Sequence, residues 1–177
     1  MTRLLHCLLI AAASVLTGCP VCDPIVELVD DFDRTCAGGP CGWTAESGTI
    51  TNVPTFHASE QGMQLARATR ARRGFSPSAG PSWTPSALEI TARCDPGTIL
   101  RVSIIGSDSA PGGDAGIAPT EARRSVDVDV AATELFQVYE NSFSWPFGVP
   151  VDDVRVETAG DGSCTIDDIV LTSTPGC

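Results

Sequence analysis

The stretch LEITARCDPGTILRVSI, residues 88–104, decides the fold. Leu88, Ile90, Ala92 and Cys94 alternate with Glu89, Thr91 and Arg93, the period-two pattern of a strand with one buried face. Asp95-Pro96-Gly97-Thr98 follows with turn chemistry. Leu100, Val102 and Ile104 then alternate with Arg101 and Ser103, so the stretch reads as a β-hairpin. Outward from it, Val126, Val128 and Val130 alternate with Asp127 and Asp129, a strand with one acidic, solvated face. Further strands are expected over residues 25–32, 43–51, 63–69, 136–145, 151–157 and 165–171, and no stretch sustains a helical period. The count suits an all-β sandwich. Residues 74–85 and 106–120, rich in Gly, Pro and small residues, read as long loops, either plain surface connections or ligand-binding loops.

The N-terminus has another character. Arg3 precedes an apolar run, residues 4–16, broken only by His6 and Ser14, and the run ends in Leu16-Thr17-Gly18-Cys19. It is too short to span a bilayer, which takes on the order of 20 apolar residues. The segment resembles a bacterial lipoprotein signal with its lipobox. That resemblance implies cleavage between Gly18 and Cys19 and acylation of Cys19 by a diacylglyceryl thioether and an amide-linked chain such as palmitate. Two or three chains anchor a domain stably where one does not. The implied location is the bacterial cell envelope, and the outer membrane in a Gram-negative host, because Pro20 stands where an aspartate would favour inner-membrane retention. An ordinary cleaved secretion signal is the alternative. The expected organisation is a signal peptide over 1–18, a lipidated N-terminus and short linker over 19–28, and one sandwich domain over 29–177.

The whole chain carries a formal charge of −11, and all eleven of its basic residues are arginine. Such acidity excludes nucleic acid as a partner, since phosphate binding needs a positive surface. Besides Cys19, the exported part holds Cys22, Cys36, Cys41, Cys94, Cys164 and Cys177, an even set that reads as three disulfides. The expected pairing is Cys36–Cys41 around a flexible Ala-Gly-Gly-Pro turn, Cys22–Cys177 across the ends of the domain, and Cys94–Cys164. Zinc is disfavoured, because neither a C-x-x-C pair nor a histidine cluster accompanies the thiols.

Catalytic material is scarce. His57 is the only histidine after the leader, and there is no Gly-x-Ser-x-Gly elbow. A glycosidase needs two carboxylates flanking a bond, and Asp127-x-Asp129 reads instead as a solvated strand face. An enzyme of carbohydrate metabolism is therefore the weakest alternative, and His57 is expected in a structural role. Arg67, Arg70, Arg72 and Arg73 form the one basic cluster. It could meet an anionic polymer or a protein partner, and its default is solvation beside internal carboxylates.

Taken in order, Asp31-Phe32-Asp33, Cys41-Gly42-Trp43, His57 through Gly62-Met63-Gln64-Leu65, Leu135-Phe136-Gln137-Val138-Tyr139 and Thr165-Ile166-Asp167-Asp168-Ile169-Val170-Leu171 resemble the galactose-binding-like jelly roll of many bacterial carbohydrate-binding modules. The resemblance covers about residues 29–172. It departs at Asp33, where glutamate is frequent, and at Phe136, where tryptophan is common. It implies a structural calcium with Asp33 and Asp167 as carboxylate ligands. Strand alternation independently turns one of Asp167 and Asp168 inward unless a bulge intervenes, and a buried carboxylate needs either hydrogen-bond donors or a cation. The implied function is a glycan-recognising or adhesive, non-catalytic binding module, its ligand a polysaccharide. Sugars stack on exposed rings, so Trp83 and Trp145, in proline-flanked loops, are the candidate platform while Trp43 is expected in the core. The rival reading is a structural envelope lipoprotein that binds another protein.

Overall fold

A computed structural model describes residues 23–37, 39–55, 57, 59–108 and 122–173. Cys19, Cys22 and Cys177 lie outside them, and so do the expected lipidation site and terminal disulfide. The chain forms β1 (Ile25–Asp30), β2 (Thr35–Cys36), β3 (Gly39–Pro40), β4 (Thr44–Ser47), β5 (Ile50–Pro54), β6 (Gln61–Leu65) and β7 (Arg70–Gly74). There follow β8 (Ala87–Cys94), β9 (Ile99–Asp108), β10 (Ala122–Val130), β11 (Gln137–Ser142), β12 (Val151–Ala159) and β13 (Cys164–Ser173). Two antiparallel sheets face each other. One runs β11-β8-β13-β6-β5 with β1 also paired to β13; the other runs β10-β9-β12-β7-β4. This is the expected all-β jelly-roll sandwich.

The core lies between the inward rows of the two sheets. Leu88, Ile90, Ile166, Ile169 and Leu171 on one side and Leu100, Val102, Ile104, Val154 and Val156 on the other are all fully buried. Every alternating apolar residue of the 88–104 stretch therefore points where its pattern says.

The pairing of that stretch differs from the hairpin expectation. β8 and β9 belong to different sheets, and the turn in which Thr98 N donates to Asp95 O carries the chain across the sandwich. Alternation specifies which face is buried, and that condition is met equally by strands lying side by side and by strands facing each other over a core. The same crossing splits two other expected strands. Residues 43–51 divide into β4 and β5 at Gly48, whose φ of +71° and contact with Thr69 leave no room for a side chain. The strand expected over 63–69 ends at Leu65, and the chain passes through Ala68 at φ +51° into β7 of the opposite sheet. β1 begins at Ile25, where the strand expected over 25–32 starts and inside the stretch also expected as linker, because its pairing with β13 starts at Ile25 opposite Ser173.

Two disulfides match expectation. Cys36–Cys41 closes the β2–β3 turn, and Cys94–Cys164 joins directly opposed residues of β8 and β13.

Candidate functional site

Trp83 and Trp145 are not a platform. They are 4% and 7% exposed, close to Trp43 at 7%, and all three belong to the core. Trp83 packs against Phe75 with ring centroids 6.3 Å apart, while the Trp145 indole N–H donates to Val149 O at 2.7 Å. Proline-flanked tryptophan reads as loop in the sequence, but both rings turn into the core, where burying a large apolar side chain is favourable.

Another ring group, half-buried Phe136 with exposed His57, lies on the outer face of the six-stranded sheet. Alternation turns Glu89, Thr91 and Arg93 of β8 away from the core. Arg93 stands opposite Thr165 of β13, which in turn stands opposite Gln64 of β6. Phe136, just before β11, meets His57 from the β5–β6 connection, the two rings stacked with centroids 5.5 Å apart. The Arg93 guanidinium carbon lies 4.8 Å from the Phe136 centroid, within cation–π range. Exposed Leu135 and Val138 extend the apolar surface around this group. Beside it is a recess of about 270 Å³ lined by Gln64, Arg93, Asp95, Glu134, Ser163 and Thr165. Hydrogen bonds from the Ser163 amide and hydroxyl, at 2.7 and 2.9 Å, hold the Asp95 carboxyl below its usual range and fix it as an acceptor. A ring, a cation, an amide, hydroxyls and carboxylates thus share one surface.

The carboxylates singled out in the sequence position this group. Asp167 is the extra residue of a bulge in the pairing of β13 with β8, between Ile166 and Asp168, and it is fully buried. It accepts hydrogen bonds from the Thr55 hydroxyl, from Ser59 N at 3.2 Å and from the Ser59 hydroxyl at 2.7 Å. His57 Nδ1 stands 3.8 Å away. Asp33 accepts from Glu60 N at 3.1 Å. Asp33 and Asp167 therefore both hold the connection that presents His57. Asp168 turns outward, as the bulge requires, and takes the Thr91 amide at 3.1 Å. Among the described residues, no three His, Cys, Asp or Glu side chains converge.

The outer face of the five-stranded sheet is a different surface. Arg101–Asp129, Arg70–Glu157, Arg72–Asp153 and Arg155–Glu46 form ion pairs across it. Asp153 raises the Arg72 pKa further above its usual value. Ser103, Ile105 and Asp153 are buried although they point away from the core, so this face is recessed, with a hollow of about 300 Å³ beside Thr44, Glu46 and Arg72. None of its five strands carries an aromatic residue. The basic cluster dissolves into pairs: Arg67 with Asp161, Arg70 with Glu157, Arg72 with Asp153 and Arg73 with Asp30.

Sequence reasoning missed Phe136 and Arg93 as partners. The signals were present: Phe136 stands where the resembling domains place tryptophan, and Arg93 is on the polar phase of β8. Their meeting depends on the pairing of β11 with β8, which alternation does not encode.

No protein-family model matches the sequence, and no curated protein matches it. Its fold is similar to that of solved carbohydrate-binding modules. One is a family 11 module from Clostridium thermocellum in complex with a β-1,3-1,4-mixed-linked tetrasaccharide, with a TM-score of 0.54 at 11% identity over 82% of this chain and 94% of that one. A xylan-binding family 22 domain gives 0.52 at 16% identity, over 85% and 97% of the two chains. A family 16 module gives 0.50 at 17% identity, over 73% and 90%.

Proposed function

We propose that this protein is a non-catalytic glycan-binding module of the bacterial cell envelope, tethered by acyl chains on Cys19, and that its sugar stacks at Phe136. The observation that carries the site is the His57–Phe136–Arg93 group beside a recess of hydrogen-bonding side chains. Sugars present apolar ring faces and directional hydroxyls together, and this surface answers both. The solved neighbours include modules bound to oligosaccharides, which supports the ligand class. Binding rather than turnover is favoured because His57 stands beside one carboxylate, Asp167, whose oxygens are engaged by Thr55 and Ser59. A protein partner held through Arg67, Arg70, Arg72 and Arg73 has less support, since each of these arginines has an internal carboxylate. A glycan array probed with the mature chain and with Phe136→Ala tests the reading. Retention of signal only by the parent supports it; equal signal from both, or none from the parent, refutes it.

The oxygen donors around Asp167 are of the hard kind that calcium takes. The ion would be held by the Asp167 carboxylate with the Thr55 and Ser59 hydroxyls and Gln61 O, all of which meet there. Its charge would offset the buried carboxylate. Asp33, the second carboxylate ligand that the resemblance implies, bonds Glu60 N in the same connection.

A further inference from the structure

Charge is unevenly distributed over the face that holds Phe136. The outward rows of β8, β11 and β13 carry Glu89, Glu140 and Asp168, with Glu140 directly opposite Glu89 and Asp168 directly opposite Thr91. Against these three carboxylates the same strands hold one cationic residue, Arg93. Its guanidinium lies against the Phe136 ring, and its field helps to keep the Asp95 carboxyl ionised. The positive charge is thus shared among groups of the protein itself.

The recess beside that ring repeats the imbalance, because Asp95 and Glu134 both line it with Arg93. The two Ser163 bonds go to Asp95 Oδ2, which leaves Oδ1 open to a donor. Glu134 is exposed, and among the described residues nothing pairs with its carboxylate. Thr165 is 4% exposed and lines the same recess, and its hydroxyl has no partner among the described residues. A polar group so nearly buried is costly to leave unpaired, so this hydroxyl marks a position that an entering molecule completes. An ionised carboxylate only accepts hydrogen bonds, so what enters must donate them. Sugar hydroxyls do. The carboxylate of a uronic acid brings one more acceptor and a like charge, and stands within a few ångströms of two others. At physiological salt, charges act over about 8 Å, so these neighbours decide the outcome and the remote share of the chain's −11 does not.

We propose that the sugar held at Phe136 carries no acid group, and that Asp95 and Glu134 make the recess a filter that takes neutral glycans and rejects uronates. Arg93 then serves the ring of the sugar and its hydroxyls, beside Phe136, rather than an anion. The filter rests on the glycan reading of this site.

The test is an array of matched pairs, in which neutral gluco-, galacto- and manno-oligosaccharides stand beside the same chains carboxylated at C6, probed at about 0.15 M salt. The probes are the mature chain, Glu134→Gln and, as control, Asp127→Asn, which removes the same charge from the solvated row of β10 in the other sheet. The expected result is that the parent binds the neutral member of a pair. Glu134→Gln keeps that binding and raises binding of the carboxylated member about three- to tenfold, while Asp127→Asn changes neither. A parent that binds both members equally, or prefers the carboxylated one, overturns the filter and leaves the glycan reading standing. No gain in Glu134→Gln, or the same gain in Asp127→Asn, overturns it as well. Absence of binding to every pair removes the glycan reading and the filter together.

Discussion

The Trp43 indole N–H donates to Asp30 Oδ2 at 2.7 Å, and the same oxygen meets the Arg73 guanidinium. The residues come from the connection after β3, from β1 and from β7, so one carboxylate ties the two sheets together. Its second oxygen takes Phe32 N at 3.1 Å, in the chain that follows β1. Burial pushes the Arg73 pKa down from its usual value, which makes its partner indispensable. Asp30→Ala is expected to cost about 3–5 kcal/mol in urea unfolding, because it strands a buried cation and an indole donor. Adding Arg73→Met is expected to recover part of that loss, and a double variant no more stable than the single would refute the coupling.

Glu27 gives a pH dependence with a definite sign. Burial raises its pKa, but hydrogen bonds from the Ser78 hydroxyl, Ser78 N and Ala79 N more than offset this and hold it below the usual carboxylate value. A group whose folded pKa is depressed contributes fully above its unfolded pKa and loses that contribution as pH falls through the folded value. Glu27→Gln should therefore cost about 1–3 kcal/mol at pH 7. The deficit should shrink as pH falls below about 4. A deficit independent of pH between neutrality and pH 3 would contradict the assignment.

The Cys94–Cys164 bridge spans a sequence separation of 70. By loop-closure entropy it stabilises by about 4 kcal/mol, against about 2 kcal/mol for Cys36–Cys41. Replacing Cys94 and Cys164 by serine should lower Tm by on the order of 10 °C, and replacing Cys36 and Cys41 by roughly half that, in calorimetry of oxidised protein. Equal losses would contradict the ranking.

The oxygen cluster at Asp167 predicts that calcium raises Tm relative to chelator and that Asp167→Asn abolishes the rise. Identical transitions with and without chelator would mean that hydrogen bonds satisfy the buried carboxylate without a cation.

How much was legible follows from what each residue pattern encodes. Leu88 to Ile104 specify strands and faces through side-chain alternation, which is local, and those faces are where the pattern places them. Which strand neighbours which is non-local, so β8 and β9 read as a hairpin although they face each other across the core. Gly48 marks a crossing only once Thr69 is seen packed against it. Cys36–Cys41 was readable from its short turn, whereas Cys94–Cys164 was legible only as the pair left once Cys22 and Cys177 are joined, since the pairing of β8 with β13 is non-local. The site was half legible. One of Asp167 and Asp168 stood out as an inward carboxylate needing partners, and Asp33 entered beside Asp167 only through the resemblance, but the partners of Asp33 and Asp167 lie in the connection at residues 55–60, which has no pattern of its own. Trp83 and Trp145 misled because the prolines flanking them read as open loop while their rings turn inward. Phe136 matters through contacts with His57 and Arg93, both distant from it in sequence.

The most direct test of the account is calorimetric titration of the array-selected polysaccharide into the mature chain and into Phe136→Ala, with circular dichroism confirming that both are folded. Loss of a stacking ring should weaken binding at least about tenfold, some 1.4 kcal/mol, and Arg93→Ala should weaken it in the same direction. Unchanged affinity in folded Phe136→Ala would contradict the claim that sugar is held on the outer face of the six-stranded sheet.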